Sequence, residues 1–221
     1  PASNTLSWRW TAGLQTPGKT YLARADNIAR YTNGRFSPRD LSRSAEPLVE
    51  PAPPPASDLP PADHARAGAT ALLLTEEDLT PEQWALEGMR PRAILAGHVA
   101  ARRSPLPVSR RVLDFTDGAL ADASARAAAC FGAPAHTLAL EPQTLLDAAR
   151  ALGVDALVTG YAPVGPAAEA LASAKAALAD AGIALLQLRR PLDERAWPLA
   201  TKGFFGFRKS IPDLLSAEGL A

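Results

Sequence analysis

The stretch Ala156-Leu157-Val158-Thr159-Gly160-Tyr161-Ala162-Pro163-Val164-Gly165 decides how the larger part of this chain is built. Its first four residues form an apolar run of strand length, and a glycine-bounded turn then leads into a helix at Pro166. Over residues 166–181, Ala167, Leu171, Ala174, Leu178 and Ala181 recur at helical spacing and make one apolar stripe. Gly182 supplies a helix stop, and residues 183–188 return to a strand-like apolar run. A strand, an amphipathic helix and a second strand in this order predict two parallel strands joined by a crossover.

The same alternation extends outward. Residues 69–74 read as the first strand. Thr80-Pro81-Glu82-Gln83 reads as a helix start, with Thr80 as N-cap, Pro81 in the first turn and Gln83 closing a capping box. Residues 93–95 and 111–115 read as the second and third strands, the latter followed by a helix over about 117–131. Residues 136–140 read as the fourth strand, and Pro142 opens a helix that sets Leu145, Leu146, Ala149 and Leu152 on one side. With 156–159 fifth and 183–188 sixth, residues 63–221 are expected to form an α/β, Rossmann-like domain. Its mostly parallel sheet carries flanking helices on both faces. Trp84 and Trp197 are expected to be packing residues, and Cys130, the sole cysteine, a small buried hydrophobe. The tail from Pro191 is aromatic, glycine-punctuated and basic, and reads as a loop leading into a short helix over about 210–215.

Composition narrows the function. The chain has 221 residues with 23 basic and 23 acidic side chains, so no global field favours nucleic acid or membrane. No apolar run reaches the roughly 18 residues of a membrane span, so a protein without a membrane partner, in the cytoplasm, is the expectation. His64, His98 and His136 are too far apart in sequence to suggest a metal. No phosphate-cradling P-loop, nucleophile elbow, zinc-protease or paired-cysteine motif is present. Asp114, Asp117 and Asp122 are expected to cap and solvate the helix after the third strand. The turn between Gly160 and Gly165 lies where open α/β sheets bind anions or nucleotides, which makes it a candidate ligand site.

Upstream of this domain the character changes. Residues 44–62 carry seven prolines and read as a semi-rigid extended linker. Residues 1–43 are polar, aromatic and turn-rich, with seven basic residues against two acidic ones, a local charge of +5. Such a segment is not expected to build a core of its own. It begins with Asn4-Thr5-Leu6-Ser7-Trp8-Arg9-Trp10. Two indoles at i and i+2 beside an amide suggest electron transfer or base stacking, and an asparagine amide can follow the protonation of a flavin nitrogen.

Here the chain resembles the photolyase/cryptochrome family. In that family's flavin domain, a stretch of the type Asp-x-Asp-x-x-x-Asn-x-x-x-Trp-x-Trp lines the flavin ring. Asn4, Trp8 and Trp10 match its second half, followed by Ala12-Gly13 and by Tyr21. The resemblance implies that residues 1–43 are the C-terminal piece of a helical FAD-binding domain. Asn4 would lie opposite flavin N5, Trp8 would be the proximal tryptophan of the photoreduction relay, and Trp10 would wall the lesion pocket. It implies light-driven electron transfer from FAD to a pyrimidine dimer in damaged DNA. The sequence starts almost inside the motif, so most FAD contacts are expected upstream and this stretch alone is not expected to carry the activity. Repair enzymes of the family often read Tyr-Phe-Arg-Ile-Phe-Asn-Pro downstream. Here the arginine position is Ala23, with Arg24 one residue later. A non-repairing, cryptochrome-like blue-light sensor is therefore the alternative, and a nucleotide-binding α/β module without photochemistry is a further one. The α/β domain resembles, more weakly, the family's antenna-type domain, through residues 161–188 and the run Lys202-Gly203-Phe204-Phe205-Gly206-Phe207-Arg208-Lys209. The sequence identifies no antenna chromophore.

Overall fold

The computed structural model describes residues 8–41, 43, 46–51, 59–64, 68–84, 86, 88–201 and 203–220. The chain divides into two compact units, Pro1–Ala56 and Ser57–Ala221, with the division inside the proline-rich stretch.

The first unit holds two short helices, α1 (Trp8–Thr11) and α2 (Ala25–Tyr31). Among its described residues only Gly13 is buried, as expected for a segment too polar to build a core. Part of the proline-rich stretch is not a free spacer. The Leu48 N–H donates to the Ala12 carbonyl at 2.9 Å, and Arg9 makes a two-pronged bond to the Glu50 carboxylate at 3.1 and 2.9 Å. Residues 46–51 thus fold back along the turn that follows α1.

The second unit is an α/β fold. Its strands are β1 (Thr70–Leu74), β2 (Ile94–Ala96), β3 (Ala135–Thr137), β4 (Ala156–Gly160) and β5 (Ala184–Leu188). They form one all-parallel sheet in the order β3-β2-β1-β4-β5, a Rossmann-like arrangement whose order reverses between β1 and β4. The helices are α3 (Arg110–Phe131), α4 (Pro142–Leu152), α5 (Pro166–Asp180), α6 (Pro191–Ala196), α7 (Phe204–Phe207) and α8 (Ile211–Ala217).

The two-residue period of the strands sorts the core into two layers. Ala71, Leu73, Leu95, Leu157 and Leu185 face α4 and α5, and meet Leu145, Ala149, Leu171, Ala174 and Leu178. Leu72, Leu74, Ile94, Ala96 and Val158 face the other way, toward Trp84, Leu86 and the α3 residues Leu120, Ala123 and Ala127. β1 and β4 are buried on both faces, which is why they read as unbroken apolar runs. Each fully buried leucine contributes about 1.5–3 kcal/mol. The stop after α5 is built as the sequence suggests: Gly182 adopts φ +75°, and the Ile183 N–H returns to the Leu178 carbonyl at 2.9 Å. At the β5 end of the sheet, the Asp63 N–H donates to the Gln187 carbonyl at 3.2 Å. The Gln187 N–H in turn donates to Asp63 Oδ2 at 2.9 Å.

Several expectations are corrected. Residues 111–115 are not a third strand; they are the first turns of α3. Val112 and Phe115 are exposed, so the apolar letters there mark an uncovered helix face, and the core-facing row begins only at Leu120. The sheet has five strands, not six. Thr80 caps no helix: Pro81–Gln83 is a single 3₁₀ turn, and the Thr80 N–H and hydroxyl both turn to Asp78. Trp84 therefore follows a turn rather than lying on a helix, though it is buried as a packing residue. Cys130 is exposed near the end of α3, off the core-facing row of that helix. Asp114, Asp117 and Asp122 lie exposed along α3, so they solvate the helix as expected but do not cap it. Asp114 pairs along α3 with Arg110 at 2.7 Å and Asp122 with Arg126 at 2.9 Å, while Asp117 receives His98. Arg126 also reaches Glu82; its hydrogen bonds to the Asp122 and Glu82 carboxylates raise its pKa above the usual arginine value. The tail is mainly helical turns, from α6 through α8, rather than one loop and one helix.

Candidate functional site

The structure offers two places to look for function, one in each unit. In the first unit, α1 is a single turn that presents Trp8 and Trp10. Trp8 is 61% exposed, with the Arg9 guanidinium over its ring at 5.4 Å. Trp10 is half-buried, and its ring meets that of Tyr21 edge-to-face at 5.4 Å. The Tyr21 N–H also donates to the Trp10 carbonyl at 3.2 Å, so backbone and ring hold the pair together. Gly13, at φ +76°, lets the chain turn sharply; a Cβ there would lie 2.9 Å from Pro47 Cβ. Asn4 lies outside the described residues.

Tyr21 also lines an open cleft of about 600 Å³, together with Ala23, Arg24, Asp26, Arg39 and Arg43. Arg24 does not face the cleft as a lone cation: it bonds the Asp26 carboxylate at 3.3 and 3.1 Å. Arg39 and Arg43 remain as the cleft's basic wall. Two arginines on one wall give the cleft a positive side that can meet an anion. The rings of Trp10 and Tyr21 are in contact, whereas Trp8, two residues before Trp10 on the same turn, faces another side of α1 and stacks with Arg9.

In the second unit, the carboxyl ends of β1 and β4 flank the point where strand order reverses, the usual ligand crevice of such sheets. Gly160 ends β4 there, and Gly165 is the N-cap of α5. The crevice beside Gly160 is filled by the protein itself. A Cβ on Gly160 would meet Asp78 Oδ2 at 2.9 Å and Asp78 Cβ at 3.0 Å. Asp78 in turn is the hub of a polar cluster. Its Oδ1 accepts from the Thr80 N–H at 3.1 Å, the Thr80 hydroxyl at 3.3 Å and Arg190 Nη2 at 2.5 Å. Its Oδ2 accepts from the indole N–H of Trp84 at 2.8 Å. A nucleotide beside Gly160 would have to displace this cluster, which weighs against the nucleotide-module reading.

Next to it, Arg189 is buried and lies over the Tyr161 ring at 4.8 Å; the Trp197 ring meets Tyr161 edge-on at 5.5 Å. Arg189 Nε donates to Glu194 at 2.7 Å and Nη2 to the Pro60 carbonyl at 2.7 Å. At the end of β2, His98 Nδ1 accepts from the Ala100 N–H at 3.2 Å, so Nε2 carries the proton toward Asp117 at 2.9 Å. Sequence reasoning missed Asp78, His98, Arg189 and Arg190. A usable signal was the charged pair Arg189-Arg190 directly abutting an apolar strand. Among the described residues no cluster of His, Cys, Asp or Glu can hold a metal, and no helix is long and apolar enough to cross a membrane. No protein-family model matches the chain, and a search of curated proteins finds no match.

Proposed function

We propose that this chain belongs to a photolyase/cryptochrome-like flavoprotein, located in the cytoplasm and acting on or near damaged DNA. The observation that carries the reading is the aromatic set of the first unit, an exposed Trp8 two residues before a Trp10 locked edge-to-face on Tyr21. Bound FAD would supply the light-absorbing electron donor. Asn4, on the family resemblance, would tune the protonation of the flavin. Trp8 would pass an electron inward during photoreduction, and Arg9, held over its ring and tied to Glu50, would fix the indole's orientation. Trp10 would wall the lesion side, with Tyr21 restraining its ring.

A second reading is favoured by one observation: Ala23 stands at the arginine position of the repair enzymes, and Arg24 is bound to Asp26. A light sensor that photoreduces flavin without repairing DNA accounts for that substitution. Both readings are tested on the purified full-length parent protein, with the FAD contacts that the family resemblance places upstream of Asn4, supplied with FAD. Flavin absorbance should co-purify or be restored, and blue light with an external reductant should bleach it. Trp8→Phe should slow the bleaching severalfold, whereas Trp197→Phe should leave it unchanged. Protein that takes up no flavin removes both readings. Photoreduction with no loss of pyrimidine dimers from irradiated DNA selects the sensor.

A further inference from the structure

The second unit ends in an aromatic and basic surface that the photochemical reading does not use. After Gly203, at φ +75°, the backbone runs right-handed from α7 through the turn Arg208–Ser210 into α8, with Phe207, Arg208, Ser210 and Ile211 all helical. Four-residue spacing on such a path places side chains on the same side. Phe204 therefore sits one turn before Arg208, and Phe205 one turn before Lys209. The two rings are 61% and 79% exposed and meet each other at 5.7 Å, inclined by 65°. Arg208 and Lys209 are exposed and form no ion pair among the described residues. The rest of the segment is anchored: Leu214 is buried, and Arg195 pairs with Glu218. The result is a fixed platform on which each exposed ring has a cation about 6 Å further along the axis.

We infer that Phe204, Phe205, Arg208 and Lys209 bind single-stranded nucleic acid. The rings offer stacking faces for unpaired bases, and the cations meet the phosphates between them. Charge complementarity selects this occupant: each exposed ring is followed one turn later, on its own side of the path, by an exposed cation, a pairing that suits a base and its adjoining phosphate. Asp213, exposed one turn beyond Lys209, marks where such a path would end. A membrane surface would require a broader apolar face without that carboxylate.

The test uses the full chain, in the dark, with an undamaged fluorescent oligothymidine, so it is independent of flavin binding. Anisotropy should show single strand bound more tightly than duplex. Phe204→Ala with Phe205→Ala should weaken binding by about tenfold or more while leaving the salt dependence unchanged. Arg208→Gln with Lys209→Gln should reduce the slope of log affinity against log salt by about 0.7 for each charge removed. All four side chains are exposed, and an unchanged far-UV circular dichroism spectrum confirms that each variant is folded. Absent oligothymidine binding, binding indifferent to the loss of both rings, or capture by anionic phosphatidylserine vesicles in place of the oligonucleotide overturns the inference.

Discussion

Asp78→Ala lowers the stability of the α/β unit by about 3 kcal/mol, the scale for removing one partner of a mostly buried ion pair. The reason is what the change leaves behind. Arg190 Nη2 would keep the Thr80 hydroxyl at 2.5 Å and the Thr80 carbonyl at 3.3 Å but lose its counter-charge, Asp78 Oδ1 at 2.5 Å, while Arg190 Nε already lacks a partner in the native fold. The Trp84 indole N–H would lose its 2.8 Å acceptor in a buried position, and the Thr80 N–H would lose its own. Each orphaned donor costs about 1–3 kcal/mol when water cannot replace the lost partner. The Asp78 and Arg190 side chains are 17% and 25% exposed, so water repairs part of the damage and the lower end of the sum applies. Arg190→Met in the same background removes the stranded charge and should restore at least half of the loss. Urea denaturation of the single and double variants measures both effects. If Asp78→Ala changes stability by less than about 0.5 kcal/mol, the cluster does not hold the β1 and β4 ends together.

Gly97→Ala has the second large effect, through space rather than charge. Gly97 follows β2, and its N–H donates to the Leu74 carbonyl at 3.1 Å. The preceding carbonyl, that of Ala96, accepts from the Leu138 N–H at 2.9 Å. The chain after β2 is therefore held from both sides. A Cβ on Gly97 would lie 2.4 Å from the Leu138 carbonyl oxygen, which is backbone and cannot rotate away. The substitution forces the ends of β2 and β3 apart and costs about 2–3 kcal/mol. For a chain of this size that lowers the melting temperature by roughly 4–12 °C. Gly118→Ala is the matched contrast. It lies inside α3 with nothing within 4 Å of the added atom, and should raise stability by about 0.5–1 kcal/mol. Equal behaviour of the two alanine variants in a thermal melt would overturn the close-approach account.

How far the sequence alone reaches depends on whether a signal is local. The β1 and β4 runs, the α5 stripe and the Gly182 stop are local, and the structure builds each within a residue or two of the expected position. The first turns of α3 mislead for a local reason too. Val112, Leu113 and Phe115 form an apolar run that reads as a strand, but the helix runs through them to the packed row at Leu120. The Asp78–Arg190 contact spans 112 positions, and no periodicity announces a pair at that distance. The aromatic site was legible only through its Asn-x-x-x-Trp-x-Trp spacing. The Trp10–Tyr21 contact depends on a turn whose closure rests on Gly13 and residues 46–51, which the sequence reads as linker.

One small contact has a consequence for the protein in a crowded solution. An all-parallel sheet invites another chain to dock along whichever outermost strand leaves its amide groups open. Asp63 occupies both the N–H and the carbonyl of Gln187, using its backbone for one and its carboxylate for the other. An incoming strand at that border would meet a negative charge where it needs a peptide group. The opposite border, β3, has only three residues, too short a template for a stable ladder. One border is thus plugged at Gln187 by the chain itself and the other is short, which leaves copies of the molecule little backbone with which to zip into a larger aggregate.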